Sequence, residues 1–576
     1  MLRGRSGLAV DGPRAPRLLL VAGLALVGVM FAWRLGAWPL FDPDEGRNAE
    51  VAREMLGGDW IVPHFNGLPY LDKPVLWFWL AAGAFRVFGV CETAARLPSV
   101  LGAVATVALT TALGTVLIGR TRALVAGAVA ATTPIMLVFG RLAIFDVPLT
   151  AFVTAALYCL VRARLDGAPG RWWPLAGVAI GLAVLTKGPV GAAVPLLAWA
   201  AARGALPRAA GRVGPGPAML AILAAALVIG PWVLAAASRE PHFLRYALVD
   251  ETFLRFISPA RFNRAGPIYF YVTVLPWALG PWAVVLAVAA MPLARAWRAG
   301  GPDAAAIAFA ARAATAIVLL FTLSASKRAQ YVLPAVMPLA LLAAIAAAAF
   351  PARVAAAMSA TGRWAALAGI AALTGALALP RIDGAEFFVL TPRVLAAAGV
   401  FLVGWGTVTA VTSARRPAVA IACAACFAPG LGVALLGPLT PYAEARSASA
   451  LARQIDPAAR VVAFESFEPG LAFYLGRPVP LLSDTGGELT SNYVRAQHGR
   501  LTPSATLRPV AALSTLLRDP APLYVVTAPA RLRKLRRFGG RLIALYADRR
   551  SVLLAAGASR ADQIRGDGGQ HRSGAS

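Results

Sequence analysis

Charge is what this chain has least of. Only 14% of its 576 residues are Asp, Glu, Lys or Arg, against 59% hydrophobic. Apolar runs that approach the length needed to cross a bilayer recur down to residue 438, separated by short Arg-bearing loops, and this excludes an ordinary soluble globular protein. Lysine is scarcer still: Lys73, Lys187, Lys327 and Lys534 are the only four, so the net charge of +28 is almost all arginine. Those arginines are scattered through loops and form no stripe interleaved with aromatics, which argues against a nucleic-acid partner. The four cysteines, Cys91, Cys159, Cys423 and Cys426, offer no disulfide framework. The CAAC at 423–426 lies inside an apolar run and reads as small packed side chains. Neither a solenoid period nor an inverted repeat is evident, which disfavours a transporter built from two halves.

What is present is a succession of apolar segments. Candidate spans lie near 18–40, 94–118, 123–140, 147–162, 172–186, 188–202, 217–237, 267–291, 304–323, 332–350, 364–380, 394–412 and 417–438, about thirteen in all. The opening MLRGRSGLAVDGPRAPR followed by LLLVAGLALVGVM mimics a signal peptide. Its apolar part runs too long, and no small-residue cleavage site follows it, so it is expected to be a retained first helix. Arg3, Arg5, Arg14 and Arg17, then Arg120/Arg122, Arg162/Arg164/Arg171, Arg203/Arg208/Arg212, Arg295/Arg298, Arg353/Arg363 and Arg415/Arg416 fall on alternate loops. These are expected on the cytoplasmic side of an inner membrane. The outer face then receives 41–93, the turns at 141–146 and 187, the 238–266 loop, 324–331, 381–393 and everything after 440.

The expected organisation is a polytopic α-helical membrane protein, residues 1–438, with outer loops 41–93 and 238–266. A small extracytoplasmic α/β domain over 439–558 and a disordered tail over 559–576 follow. In the α/β domain VVAFES, AFYLG, PLYVVT, LIALYA and SVLLAA read as strands, and SASALARQI as helix. The tail lacks any apolar period.

Against this background residues 41–50, FDPDEGRNAE, crowd four carboxylates at the membrane surface directly after the first span. Asp42, Glu50, Glu54 and Asp59 read as outer-face acids, Asp42 or Asp44 capping the helix that carries Asn48 to Met55. Asp44 and Glu45 are harder to dismiss, because the loop beyond them supplies cations and aromatics.

The stretch PDEGRNAEVAREMLGGDWIVPHFNGLPYLDKPVLWFW resembles the first outer loop of the polyprenyl-phosphate-dependent glycosyltransferases, the GT-C membrane superfamily. It is most like the aminoarabinose transferase and protein mannosyltransferase-like branch. Asp44-Glu45, Arg47, the Ala49–Met55 helix, Gly58-Asp59-Trp60, Pro69-Tyr70 and Asp72-Lys73-Pro74 carry the match. Weaker echoes follow in RLAIFDVPL (141–149), LTKGP (185–189), DETFLRF (250–256), PIYFYVTVLPW (267–277) and SKRAQYVLPAVMPLA (326–340).

The resemblance implies transfer of a sugar from a polyprenyl (undecaprenyl-type) phosphate donor to an envelope acceptor, lipid A or a glycan, by inversion at the outer leaflet. A departing phosphate needs cationic partners and an acceptor hydroxyl needs a base. Asp44 is the candidate base, Glu45 its support, and Asp146 the second acid that the family pattern places in RLAIFDVPL. Asp146 has a plain alternative role as cap of the helix starting near Pro148. Arg47, Lys73, Lys187, Arg255, Lys327 and Tyr331 are the candidate substrate-binding residues. A compact ammonium suits a point contact to a phosphate oxygen, although Lys73 could simply pair with Asp72 and Tyr331 could be interface belt. If the acceptor is itself a phosphate no base is needed, and Asp44 would then position it or steady positive charge on the sugar. The 238–266 loop is expected as an interfacial helix closing over the phosphate pocket through Arg255.

Two departures from the pattern matter. Glu251-Thr252 stands where relatives often have Glu-His, which weakens a metal site there; no cofactor is assigned, a divalent metal ion stays open, and His64 and His242 read as surface or packing residues. Asn48 stands where an aromatic is frequent, which leaves the sugar open. The alternatives are a protein O-glycosyltransferase and a lipid-linked sugar flippase, the latter expecting charge near the midplane of its spans. Arg312 is the main such charge. The expected partners are the lipid donor, the lipid or glycan acceptor and membrane lipids, with no nucleic acid and a monomeric state.

Overall fold

The computed structural model describes residues 15–166, 169–208, 216–254, 266–378, 391–414, 416–539 and 542–556. Helix underlies every expected span, with three differences that have local causes. The first helix, Ala15–Ala32, stops well short of residue 40, just before Arg34 takes a left-handed φ of 50°. The 123–140 span is two helices, Arg120–Thr132 and Pro134–Phe139. Thr133 between them is extended, as a residue preceding proline prefers. The 267–291 span is bent by 111° between Phe270–Leu279 and Pro281–Arg298. The bend sits at Gly280, whose φ of 56° admits no ordinary side chain without strain.

Among the described residues seven helices are long and apolar enough to cross a membrane, or eight if the bent pair counts as one span. The chain is a multi-pass membrane protein. The outer loop expected over 41–93 contains a further apolar helix, Leu76–Phe88, whose 13 residues reach about 20 Å, too short for a hydrocarbon core of about 30 Å. It buries Trp77, Phe78, Ala81, Ala82 and Phe85 on one side.

The loops sort to two ends. At one end Arg122 pairs with Asp303 at 2.6 Å and Arg164 donates to the Leu206 carbonyl at 2.9 Å, so four Arg-rich loops meet in two pairs. Arg312, unexplained by sequence, is exposed and lies 5.9 Å from the ring of Trp297 near this end. Its long side chain snorkels, so the charge does not reside among packed helices. At the other end the 41–75 segment and the C-terminal part of the chain come together.

That part contains a six-stranded sheet formed by β3 (Arg460–Phe464), β4 (Leu481–Leu482), β5 (Leu507–Arg508), β6 (Leu523–Thr527), β7 (Leu542–Ala547) and β8 (Val552–Ala556); β1 (His64–Phe65) and β2 (Leu68–Pro69) form a separate small hairpin. The order is β5-β4-β3-β6-β8-β7; the first four strands are mutually parallel, β8 is antiparallel to β6, and β7, antiparallel to β8, runs in the direction of the first four. AFYLG, expected as a strand, is the end of the helix Pro469–Leu475. Proline starts that helix, Leu471, Ala472 and Phe473 fill its buried face, and Gly476 ends it in the left-handed conformation.

This helix packs on Asp44–Glu54 so closely that a Cβ on Gly46 would lie 2.6 Å from Gly470 Cα. One continuous apolar core joins Leu40, Phe65, Tyr70 and Trp77 to Phe473, Leu481 and Val526. The sheet is therefore seated on the first outer segment. Asp42 helps to seat it and does not cap the 44–54 helix: its carboxylate accepts from Gly470 N–H at 2.7 Å and Ala448 N–H at 2.9 Å. Burial, with Glu468 nearby, pushes its pKa up to about 7. The tail over 559–576 lies outside the described residues.

Candidate active site

Where the helices meet the C-terminal part there is a cleft of about 580 Å³, counting its open mouth. Four carboxylates (Asp44, Asp72, Asp146, Glu251) and four cations (Arg47, Lys73, Lys187, Arg328) line it, with Asn48, Tyr70, Tyr331, Thr490 and Asn492 among the others. Residues from seven separated stretches thus converge at one end of the apolar helices. The charges sum to zero, and they are interleaved.

Asp44, in the first turn of its helix, takes Arg47 Nη2 at 2.7 Å one turn on and Arg328 Nη1 at 2.5 Å from the 324–331 segment. Arg47 Nη1 also donates to the hydroxyl of Thr490 at 2.8 Å. Asp146 begins the helix Asp146–Leu165 and is ion-paired with Lys187 at the end of Trp172–Lys187. The Lys187 ammonium lies 4.4 Å from the centre of the Tyr331 ring, a cation–π arrangement. Lys73 pairs with Glu251 at 2.6 Å and donates to the Asp72 carbonyl at 2.6 Å.

The Asp72 carboxylate does something else: it accepts from the N–H groups of Asn492 at 2.9 Å and Tyr493 at 2.8 Å and from the hydroxyl of Tyr246. One buried acid thereby ties the first outer segment to the C-terminal part and to the π-helical turn Tyr246–Leu254, which brings Glu251 to Lys73. The simple Lys73–Asp72 side-chain pair considered from sequence is not what forms. From the described part of the 238–266 loop Glu251 lines the cleft; Arg255 lies outside the described residues.

Two sequence-selected residues are not in the cleft. Glu45 points the other way, 2% exposed, accepting from Arg96 Nε at 2.9 Å and Nη2 at 2.8 Å, from Ala143 N–H at 2.6 Å and from Phe41 N–H at 3.0 Å. Its acceptor sites are taken up in holding three segments together. Lys327 donates to the carbonyls of Thr322 at 2.8 Å and Ser324 at 2.5 Å, stopping the helix Ala304–Leu323. Its neighbour Arg328 occupies the cleft in its place.

Asp44, Arg47, Lys73, Asp146, Lys187 and Tyr331 are all brought together. Arg328, Glu251, Thr490 and Asn492 are not among the candidate site residues read from sequence; Arg328 has a signal in its place beside Lys327 and Glu251 in the DETFLRF stretch, while Thr490 and Asn492 have none. Among the described residues no group of three or more His, Cys, Asp or Glu side chains is arranged to hold a metal ion. Outside the cleft, half-buried Glu54 accepts from Gly67 N–H at 3.0 Å; desolvation, then Glu50, pushes its pKa up to about 8.

Chemically, the cleft offers cations whose present partners are carboxylates. A phosphate entering it competes for those cations, and each one it captures releases a carboxylate able to take a proton or face positive charge.

Residues 72–234 match the family model for dolichyl-phosphate-mannose-protein mannosyltransferase. The chain is 32% identical over 344 residues to the undecaprenyl phosphate-alpha-4-amino-4-deoxy-L-arabinose arabinosyl transferase 1 of Pseudomonas fluorescens, covering 56% of each. It is 35% identical over 316 residues to the corresponding transferase of Edwardsiella ictaluri, covering 53% of this chain and 55% of that one. The chain thus spans a little over half the length of the curated relatives it matches. The crystal structure of ArnT from Cupriavidus metallidurans bound to undecaprenyl phosphate aligns over 95% of this chain and 100% of that one, with TM-score 0.77 and 22% identity. The apo form gives TM-score 0.79 at 23% identity. The fold is that of these GT-C proteins, and the resemblance read from the first outer loop is borne out.

Proposed function

We propose that this protein is a membrane glycosyltransferase that moves a sugar from an undecaprenyl-type phosphate to an envelope acceptor such as lipid A or a glycan at the outer face of the cytoplasmic membrane. The observation that carries this reading is the interleaved cleft of Asp44, Arg47, Lys73, Asp146, Lys187 and Arg328 at the end of apolar helices, where a lipid headgroup would lie. The names of the relatives support the donor class, and the whole-length structural likeness supports the architecture.

In this mechanism the donor phosphate displaces Glu251 from Lys73 and Asp44 from one of Arg47 and Arg328, takes a further contact from Lys187, which stays paired with Asp146, and is held by these cations as it departs. Charge-assisted contacts of this kind strengthen as negative charge collects on the leaving oxygen, so they favour the transition state over the bound donor. Asp44, freed from one of its two arginines, accepts the proton of an acceptor hydroxyl. Where the acceptor is a phosphate, Asp44 instead faces the positive charge that builds on the sugar. Asp146 keeps Lys187 oriented over Tyr331. In this reading the described residues between 439 and 556 act as an outer α/β domain that closes the cleft through Thr490 and Asn492. The mannosyltransferase family model supports a second reading, transfer to protein, with the same donor chemistry.

Mass spectrometry of envelope glycolipids from a deletion strain tests the proposal. A sugar-sized mass should disappear from lipid A or an envelope glycan and return with the wild-type gene but not with Asp44→Asn. An unchanged lipid and glycan profile together with a lost protein modification would select the second reading.

A further inference from the structure

Asn48 forms part of the cleft wall and is 2% exposed. Its Nδ2 donates to the Ala143 carbonyl at 2.9 Å. This fixes the sense of the amide, because the opposite flip would set two acceptors against each other. Oδ1 is then the other edge, and it is buried without a hydrogen-bond partner. Arg47, the preceding residue, has an orphan of the opposite kind: Nε–H is buried and unpartnered, while Nη1 and Nη2 are engaged by Thr490 and Asp44.

Buried polar side-chain atoms are normally paired, so each exception asks for an explanation. Among the described residues these are the only two such atoms that belong to residues lining the cleft. An unpaired acceptor and an unpaired donor on adjacent residues that both line the cleft are together complementary to a group that does both. A hydroxyl does both; an ammonium only donates and an ionised phosphate oxygen only accepts.

We propose that Asn48 is a specificity-determining residue, whose Oδ1 accepts a hydrogen bond from a hydroxyl of the transferred sugar while Arg47 Nε–H donates to the same or the adjoining hydroxyl. This rests on the glycosyl-donor reading and adds to it the group that is recognised. The competing explanation is that Asn48 is a clip. Glu45 takes the N–H of Ala143 and Asn48 grips its carbonyl, so the two together hold the loop that leads to Asp146. The clip uses only Nδ2, whereas the reading of a sugar uses Oδ1, and this difference can be measured. A site that pairs a substrate hydroxyl discriminates strongly against the analogue lacking it, because its own polar atoms are then left unpaired.

The test uses the purified full-length protein and displacement of a fluorescent undecaprenyl phosphate. The probes are bare undecaprenyl phosphate, pentosyl and hexosyl undecaprenyl phosphates, and analogues of each lacking one hydroxyl in turn. On wild type, deletion of one particular hydroxyl should weaken binding tenfold or more. In Asn48→Ala that penalty should vanish, and the advantage of the sugar-bearing lipid over the bare lipid should fall by a similar factor. Asn48→Leu, close in shape to the native side chain, gives the same readout if the alanine variant does not fold. A hydroxyl-deletion pattern left intact by both substitutions, with all lipids weakened alike, identifies a clip and overturns the inference alone. A wild-type protein that ignores undecaprenyl phosphate overturns the functional reading, and the inference with it.

Discussion

Asp44 and Glu45 are adjacent acids of the same charge, and they should fail in different ways. Glu45 and Arg96 are each 2% exposed. Arg96 also donates to the carbonyls of Leu35 and Trp38, both at 2.8 Å, and Pro39 at 3.0 Å, so Glu45→Gln leaves a guanidinium buried, immobile and without a counter-charge. Breaking a buried pair from one side costs about 3–5 kcal/mol. The variant should lose much of its heat resistance in detergent, scored as the fraction eluting monodisperse after heating, while the molecules that stay folded keep turnover near wild type. Asp44 sits with 30% of its side chain exposed between two arginines, one of which, Arg47, also holds Thr490. Asp44→Asn should cost stability about 1 kcal/mol or less and lower turnover about 100-fold, the scale of removing acid–base assistance. A Glu45→Gln protein as heat-resistant as wild type but inactive would refute this division and return Glu45 to the chemistry.

Other consequences concern the parts around the cleft. The Glu54 carboxyl, pushed up to about 8 from 4.5, holds a proton in the folded state that the unfolded chain releases. Between those values the folded state binds more protons, so stability should fall as pH rises from about 5 to 8; melting curves of Glu54→Gln should be flatter over that range, with Asp42 supplying a remaining slope. Asp72→Asn removes an acceptor shared by two backbone N–H groups and Tyr246. The loss of about 1–3 kcal/mol should speed hydrogen exchange at residues 492 and 493 by roughly 10- to 100-fold, and unchanged protection there would show that Asp72 does not seat the C-terminal part. Reporter fusions after Trp60 and Leu451 should report the outer compartment and fusions after Arg122 and Arg298 the cytoplasm; Trp60 and Arg122 on one side would dissolve the proposed site.

What the sequence could and could not reveal follows from geometry. Long apolar runs with alternating Arg-rich loops identify spans because the bilayer permits little else. Breaks at Thr133-Pro134 and Gly280-Pro281 are also written in the residues, although each lies inside an apolar run long enough to pass for one span. Choosing among neighbours is harder. Arg328 is extended, with φ −145° and ψ 148°, so adjacent side chains point to opposite faces and only one of Lys327 and Arg328 can enter the cleft. The same holds on a helix for Asp44 and Glu45, about 100° apart. Asp72 looked like a partner for Lys73 because its real partners, Tyr246, Asn492 and Tyr493, lie 174 or more positions away. Short-range pattern carries no trace of such contacts.

The central claim is that a polyprenyl phosphate binds in this cleft and that its phosphate is held by cleft cations. Isothermal titration of undecaprenyl phosphate into purified wild-type, Lys187→Ala, Lys73→Ala and Lys327→Ala protein tests it directly. Loss of one charge-assisted contact to a buried phosphate is worth about 1.5–3 kcal/mol, so saturable wild-type binding should weaken tenfold or more in Lys187→Ala and Lys73→Ala. Folded Lys327→Ala, altered outside the cleft, should bind like wild type. Equal affinity across all four proteins, or weakening by Lys327→Ala alone, would contradict the account.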